Sequence, residues 1–240
     1  VGSEMCIRDS NQYHVKAGAR GLNWAGSQPE SMSDYRAKID SVKQPYVSHE
    51  TGQWCAFPNF SEIRKYTGVN KAKNFEIFRD ILNDNHMGSM GHDFMMASGK
   101  LQAICYKHEI EKTLRTPDYA GFQLLALNDY SGQGTALVGL LDVFFEEKGY
   151  INADEFRRFC SPTVPLARIP KFVYTNDETF HAHIEVSHFG AAPLQGAKTV
   201  YSIKDEYGKV YAHGTVGTQD IPVGNLCQLG SVDMKLNGIT

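Results

Sequence analysis

The sequence predicts two kinds of structure in succession, an α/β region followed by an all-β region. In the first, a short strand-favouring run that begins at Pro45 and the apolar run 120–127 are separated by segments with helical periodicity, which is typical of α/β folds. In the second, apolar and polar residues alternate singly over 180–187, as in a strand with one buried face. Three prolines in 161–171 predict a semi-rigid linker without regular structure between the two regions.

These boundaries predict a first domain at 11–160 and a second at 172–240. The first ten residues, Val1–Ser10, resemble a translated sequencing-adapter artefact and are left out of the fold prediction. Residues 11–43 show weak periodicity and several glycines, so we expect a long loop there, with one short helix near 35–39.

Length, charge and cysteine content exclude several classes of protein. The 240 residues carry a net charge of -3, with 42% hydrophobic and 21% charged residues, so no basic excess suggests a nucleic-acid partner. No apolar run approaches the roughly 18 residues of a membrane span. The five cysteines form no Cys-x-x-Cys pair, which argues against a zinc ribbon or a disulfide framework. No metal or cofactor is expected. A dinucleotide fingerprint starting at Gly132 fails, because Leu137 stands where its third glycine is required.

The segment Pro45–Trp54 is the part of the sequence most indicative of chemistry. Pro45 excludes a helix interior and the next residues favour a strand, so Glu50 is predicted where that strand opens into a loop. In a TIM barrel this edge carries the catalytic groups. The plain alternative is a solvated carboxylate, one of 27 acidic residues. A zinc-protease motif is excluded because Gln53 stands where the second histidine would be required.

The elements after this segment continue the α/β pattern. Apolar residues at steps of three and four predict helices at about 71–83 and 93–114. The apolar run 120–127 predicts a strand covered on both faces, and Asn128 and Asp129 follow at its carboxyl end.

Two further features belong to the end of the first region and to the second. Asn152 and Glu155 have the spacing of a capping box at a helix start. In the second region, a hairpin is predicted around 205–208.

Four stretches together resemble one protein family. They are Pro45–Trp54, Tyr119–Leu125, Gly132–Gly139 and Arg157–Pro162. From about Asp34 to Thr240 the chain is similar to the carboxy-terminal part of large bacterial proteins of glycoside hydrolase family 2, the β-galactosidase and β-glucuronidase superfamily. The resemblance implies the last part of a TIM (β/α)8 barrel, followed by an incomplete immunoglobulin-like β-sandwich.

The resemblance also implies an activity and a set of site residues. The expected activity is that of a retaining β-glycosidase that hydrolyses O-glycosidic bonds in an oligo- or polysaccharide, with Glu50 as nucleophile. The acid/base would lie on the fourth barrel strand, upstream of this chain, so the isolated chain is expected to be inactive. The longer protein is expected in the periplasm or outside the cell. Residues that could contact sugar, or equally serve the fold, are His49, Gln53, Trp54, Asn128 and Asp129.

The sequence departs from the family within the eighth barrel strand. Relatives commonly have a Trp-Asp pair where this chain has Leu125 and Ala126. That substitution leaves open which sugar is bound and whether activity is altered or abolished. It does not affect Glu50.

A second reading of the chain is a non-catalytic carbohydrate-binding or spacer module. Such a module needs several exposed aromatic residues on one sheet face, and Tyr201, Tyr207 and Tyr211 form no clear platform in the sequence. His181 and His183 share one face of their predicted strand and could ligate a metal. Without a third ligand nearby in sequence, solvated positions are the favoured interpretation.

Overall fold

The computed structural model describes residues 13–15, 21–22, 26–52, 54–130, 134, 136–237 and 239. Gln53, one of the predicted sugar-contacting residues, lies outside this set. Within it the strands are β1 Tyr13–Val15, β2 Tyr46–Thr51, β3 Tyr119–Leu124, β4 Thr163–Arg168, β5 Thr179–His188, β6 Leu194–Lys204, β7 Val210–Ile221 and β8 Gly224–Lys235. The α-helices are α1 Arg36–Ile39, α2 Lys73–Asp84, α3 Gly91–Leu114 and α4 Ala153–Arg157, with 3-10 turns at Phe60–Lys65 and Gly88–Met90.

The chain divides into two compact units that differ from the predicted domains. The first unit takes in 1–21, 44–110 and 120–157, and the second takes in 22–43, 111–119 and 158–240. The change of unit at 157/158 lies close to the predicted end of the first domain at residue 160. The second unit also recruits two segments from the amino-terminal half, which a linear reading of the sequence did not anticipate.

The first unit contains a three-stranded sheet in the order β1-β2-β3. β1 and β2 are parallel, with Tyr13 opposite Tyr46. β2 and β3 also run in the same direction, because His49 contacts Gln123 while the amide of Leu125 donates to Thr51, at the same offset along the chain. Parallel strands with intervening helices α2 and α3 confirm the α/β class of this region.

The core of the first unit is built on α3. Met95 and Tyr106 from this helix pack with Ala56, Leu140 and Tyr150. The segment 102–110 is largely buried and includes polar residues, so its interior groups need hydrogen-bond partners. Gln102 meets that need: its amide donates to the carbonyls of Trp54 and Leu137, at 2.6 and 3.0 Å.

The second unit is dominated by antiparallel strands. One sheet has the order β4-β5-β8, and β6 and β7 form a separate antiparallel pair. Val186, Ile221 and Leu229 from three of these strands share one hydrophobic core. The predicted hairpin is confirmed, since β6 and β7 are joined across residues 205–209.

The predicted irregular linker at 161–171 is wrong in its central part. Thr163–Arg168 form strand β4, which pairs with β5 from Thr163 opposite His188 to Arg168 opposite His183. β4 lies at the edge of its sheet, so Pro165, which has no N–H to donate, is compatible with a strand there. Three prolines therefore did not exclude regular structure.

The predicted strand at 120–127 is shorter and less buried than expected. β3 ends at Leu124, and the side chain of Leu127 is 50% exposed. The physical reason is that the backbone after Leu124 pairs with a loop instead of a strand, since the Leu127 carbonyl accepts from the amides of Leu140 and Leu141, both at 2.9 Å. The capping box is confirmed: the Asn152 amide donates to Glu155 Oε2 at 3.1 Å and the Glu155 amide donates to Asn152 Oδ1 at 2.9 Å.

None of the helices in the described ranges is both long enough and apolar enough to cross a bilayer.

Candidate functional site

Glu50 lies near the end of β2 in an unusual backbone conformation. Its φ is +56°, in the left-handed region that non-glycine residues rarely occupy. Its side chain is only 11% exposed, which does not match the solvated carboxylate considered as the plain alternative. Non-glycine residues held in this region cluster at functional sites, where the surrounding structure imposes the conformation.

His49 connects the Glu50 carboxylate to the neighbouring strand. Its Nε2 lies 3.8 Å from Glu50 Oε1, and its Nδ1 lies 3.2 Å from Gln123 Oε1. An amide oxygen only accepts hydrogen bonds, so Nδ1 carries the hydrogen and Nε2 faces the carboxylate. Gln123 was missed as a site residue, because its contact depends on the register between β2 and β3.

Gly52 allows the chain to turn away directly after the last residue of β2, two residues beyond Glu50. Its φ is +82°, and a Cβ at this position would lie 2.0 Å from Cε1 of the Tyr106 ring. Tyr106 is fully buried, and its hydroxyl donates to the Val138 carbonyl at 2.8 Å. Only glycine fits between the strand end and this anchored ring.

Trp54 is held by helix α3. Its indole N–H donates to Glu109 Oε2 at 3.1 Å, and Glu109 Oε1 accepts from the amide of Gly21 at 2.6 Å. Glu109 is buried, so the indole nitrogen is engaged within the fold. Sequence reasoning missed Glu109, although its position seven residues after Gln102 places it on the same buried stripe of the helix.

Asp129 does not present its carboxylate to an open surface. It is 1% exposed; its Oδ2 lies 2.5 Å from Lys148 Nζ, and its Oδ1 accepts from the Gly139 amide at 2.8 Å. Burial raises the pKa of this carboxyl, while the Lys148 ammonium acts in the opposite direction. Of the two roles that the sequence left open for Asp129, sugar contact and structural support, its position matches structural support, because it holds the 139–148 segment.

Asn128 is half-buried beside this ion pair. Its Nδ2 donates to the Asp129 carbonyl at 2.9 Å, and its backbone bridges to Leu141. Gly139 packs directly against it, since an added Cβ would lie 2.2 Å from Asn128 C. The loop after β3 is therefore tightly packed at the position where the sequence predicted sugar contacts.

A second group of ionisable residues lies around Glu62 in the same unit. Glu62 is 1% exposed, and its Oε2 has no hydrogen-bond partner among the residues that the structure describes. Burial, together with the Asp142 charge, raises the pKa of Glu62 to about 7, against the pull of Lys148 and Lys65. Sequence analysis did not single out Glu62, because a 3-10 turn shows no periodic signal.

The structure thus brings some of the predicted residues together and ties others to the interior of the fold. Glu50 and His49 form one group with Gln123, whereas Trp54 and Asp129 are tied to the interior by Glu109 and Lys148. Within the described ranges, no group of three or more His, Cys, Asp or Glu side chains is placed to hold a metal ion.

Comparison with known proteins gives a match in the second unit. No curated protein matches the sequence. Residues 178–240, which contain β5 to β8, match the profile of a family described as a domain of unknown function, DUF8488. The chain is therefore similar to that domain over these residues, and the segment that contains Glu50 lies outside the match.

Proposed function

We propose that this chain is the carboxy-terminal part of a retaining β-glycosidase related to glycoside hydrolase family 2, with Glu50 as the nucleophile. In this proposal β2 and β3 are the seventh and eighth strands of a TIM barrel, and β4 to β8 belong to an immunoglobulin-like sandwich. The observation that carries the proposal is the conformation of Glu50, a shielded carboxylate on a left-handed backbone at a strand end.

The direction of the strands supports this assignment. β1, β2 and β3 run in the same direction, so Glu50 and the loop after Leu124 lie towards the same edge of the sheet. In barrels of parallel strands, catalytic groups sit at the carboxyl edge, where the loops are free to shape a pocket. A surface carboxylate with no role would not need a strained backbone and a shielded side chain.

The reaction needs two carboxyl groups, of which this chain supplies the nucleophile. A Glu50 oxygen attacks the anomeric carbon and forms a new C–O bond. The bond between the anomeric carbon and the leaving-group oxygen breaks, and its electron pair goes to the leaving-group oxygen. The second carboxylic acid protonates the leaving group and later deprotonates water, from about 5 Å away. The proposal places it on an earlier strand of a longer protein.

His49 and Gln123 act in this proposal as positioning residues. The Gln123 amide fixes the imidazole through Nδ1, which leaves Nε2 directed at the Glu50 carboxylate. At 3.8 Å this is a packing contact and not a hydrogen bond, and it restricts the space in which the carboxylate can rotate. Leu125 and Ala126 replace the aromatic and acidic pair of relatives, so the sugar-stacking wall of this protein would differ from theirs.

The proposal is tested by trapping the covalent intermediate in the longer protein. The reagents are 2,4-dinitrophenyl 2-deoxy-2-fluoro-β-glycosides of several sugars, whose leaving group needs no proton from the acid/base. We expect one fluoroglycosyl adduct per chain, mapped by peptide mass spectrometry to the peptide that contains Glu50.

Two variants make the trapping experiment decisive. Glu50→Gln should form no adduct, whereas Glu146→Gln, which changes an exposed acid in the same unit, should be labelled like the parent. An adduct on another carboxylate, or none from any sugar on a correctly folded protein, would remove Glu50 from the mechanism.

A further inference from the structure

A pair of histidines on β5 lies beside two polar residues of β8 in the second unit. In the antiparallel register His181 is opposite Asp233 and His183 is opposite Ser231. Residues two apart on a strand point to the same face, so these four side chains form one patch, the histidine pair and its two partners. The patch is accessible to solvent, since the His181 side chain is 40% exposed and that of Asp233 is 63% exposed.

The two imidazole rings converge through their Nε2 atoms, which are 3.1 Å apart. Two nitrogens bound to one tetrahedral Zn²⁺ at about 2.0–2.1 Å would be about 3.3 Å apart, which is close to the observed Nε2–Nε2 distance. The ring planes cross at 88°, so the two rings meet edge to face with both Nε2 atoms at the contact.

The other ring nitrogens are held by groups of the kind that surround metal-bound histidines. His181 Nδ1 lies 2.5 Å from Asp233 Oδ1, and His183 Nδ1 lies 2.9 Å from Ser231 Oγ. A carboxylate only accepts, so His181 carries its hydrogen on Nδ1 and presents a lone pair at Nε2. A carboxylate behind a histidine fixes the tautomer and raises the basicity of the ligating nitrogen.

We propose that His181 and His183 bind one late first-row divalent ion, of the Zn²⁺ and Cu²⁺ class, through their Nε2 atoms. Imidazole nitrogen suits these ions, whereas Mg²⁺ and Ca²⁺ prefer oxygen. Since no group of three or more ligating side chains occurs in the described part of the chain, water completes the coordination. Arg168 on β4 lies opposite His183 and carries a positive charge that would oppose a bound cation. Its Nε donates to Glu185 Oε1 at 3.0 Å, and the negative charge of Glu185 offsets that of Arg168.

Direct titration with Zn²⁺ tests the site. The full chain is used with Cys55→Ser, because the exposed Cys55 thiol is a competing ligand. We expect one Zn²⁺ per chain by isothermal titration calorimetry, with at least tenfold weaker binding in His181→Ala and in His183→Ala. Asp233→Asn should weaken binding by about tenfold while leaving both ligands in place. His213→Ala, which removes another exposed histidine, should not change the affinity.

Imidazole nitrogen NMR supplies a readout that does not depend on affinity. Zn²⁺ should shift the Nε2 resonances of both His181 and His183 and leave both Nδ1 resonances protonated, while Mg²⁺ at the same concentration should shift neither. Shifts in only one ring, equal binding by the His181→Ala variant, or a proton on His183 Nε2 that persists in the presence of Zn²⁺ would each overturn the proposal. Circular dichroism of each variant confirms that the strands are intact.

Discussion

Thr51 donates a 3.0 Å hydrogen bond to Ser48 Oγ, although the two residues are three apart on β2. On a regular strand, residues an odd number apart point to opposite faces, so this contact requires the alternation to break between them. The break occurs at Glu50, whose φ is +56°. Both hydroxyl-bearing residues are buried, so the hydrogen bond stabilises the twist that directs the Glu50 side chain.

The first prediction follows from this backbone conformation. Asparagine occupies the left-handed region more readily than glutamine, so Glu50→Asn should be more stable than Glu50→Gln by about 1 kcal/mol. Urea unfolding of the two variants measures the difference. Glu206 is exposed and has no positive φ, so Glu206→Asn and Glu206→Gln should not differ in stability in this way. Equal stability of the two Glu50 variants would mean that the backbone is not strained there.

The second prediction concerns Gly52. Alanine there would place a Cβ 2.0 Å from the Tyr106 ring at a φ of +82°, so we expect a loss of at least about 2 kcal/mol in the free energy of unfolding. Gly68→Ala is the matched control, because a Cβ there meets nothing within 4 Å. Its free energy of unfolding should change by less than about 0.5 kcal/mol. Denaturant titration of both variants checks this, and similar losses would count against the packing argument.

The third prediction concerns the buried ion pair between Asp129 and Lys148. Asp129→Asn leaves the Lys148 ammonium buried without its counter-charge, and should cost about 3–5 kcal/mol. Combining Asp129→Leu with Lys148→Met should recover most of that loss, since buried pairs are often replaceable by apolar groups. The exposed Lys73–Glu76 pair is the control, and Lys73→Met should cost less than about 0.5 kcal/mol. Equal costs for the buried and exposed pairs, measured by urea unfolding, would contradict the assignment.

The fourth prediction is a pH dependence from Glu62. The folded-state pKa of about 7 lies above the unfolded value near 4.5, so the folded chain retains a proton that the unfolded chain loses. The contribution of Glu62 to stability is therefore present below pH 4.5 and falls as the pH rises to about 7. Glu62→Gln removes this loss, so its stability relative to the parent should rise by on the order of 3 kcal/mol between pH 4.5 and 8.

The measurement for Glu62 is urea unfolding at both pH values. The charged residues that set the shift are Asp142 and Asp129, which raise the pKa, and Lys148 and Lys65, which lower it. Glu206→Gln, at an exposed position, is the control for the loss of one carboxyl group. A parent-to-variant difference that is constant with pH would exclude an ionisation of Glu62 in this range.

Local patterns in the sequence were sufficient for elements whose stabilising contacts are close along the chain. The periodicity of 71–83 and 93–114 predicted α2 and α3 to within two residues at each end. The Asn152–Glu155 spacing predicted the reciprocal cap of α4, and single-residue alternation predicted β5. In each case the signal lies in residues of the element itself or next to it. Such an element can therefore be predicted without knowing which distant segment packs against it.

The tertiary structure decided everything that depends on pairing between distant segments. β4 forms in spite of its proline because it lies at an edge, and edge position is a property of the sheet. The register of β2 against β3 brings Gln123 to His49, and the register of β5 against β8 brings Asp233 and Ser231 to the histidine pair. The sequence by itself determined that a carboxylate lies near the end of a strand, at Glu50. Whether a charged side chain such as Asp129 faces a ligand or a buried lysine was decided only by which segments pack together, because burial and partner choice are non-local.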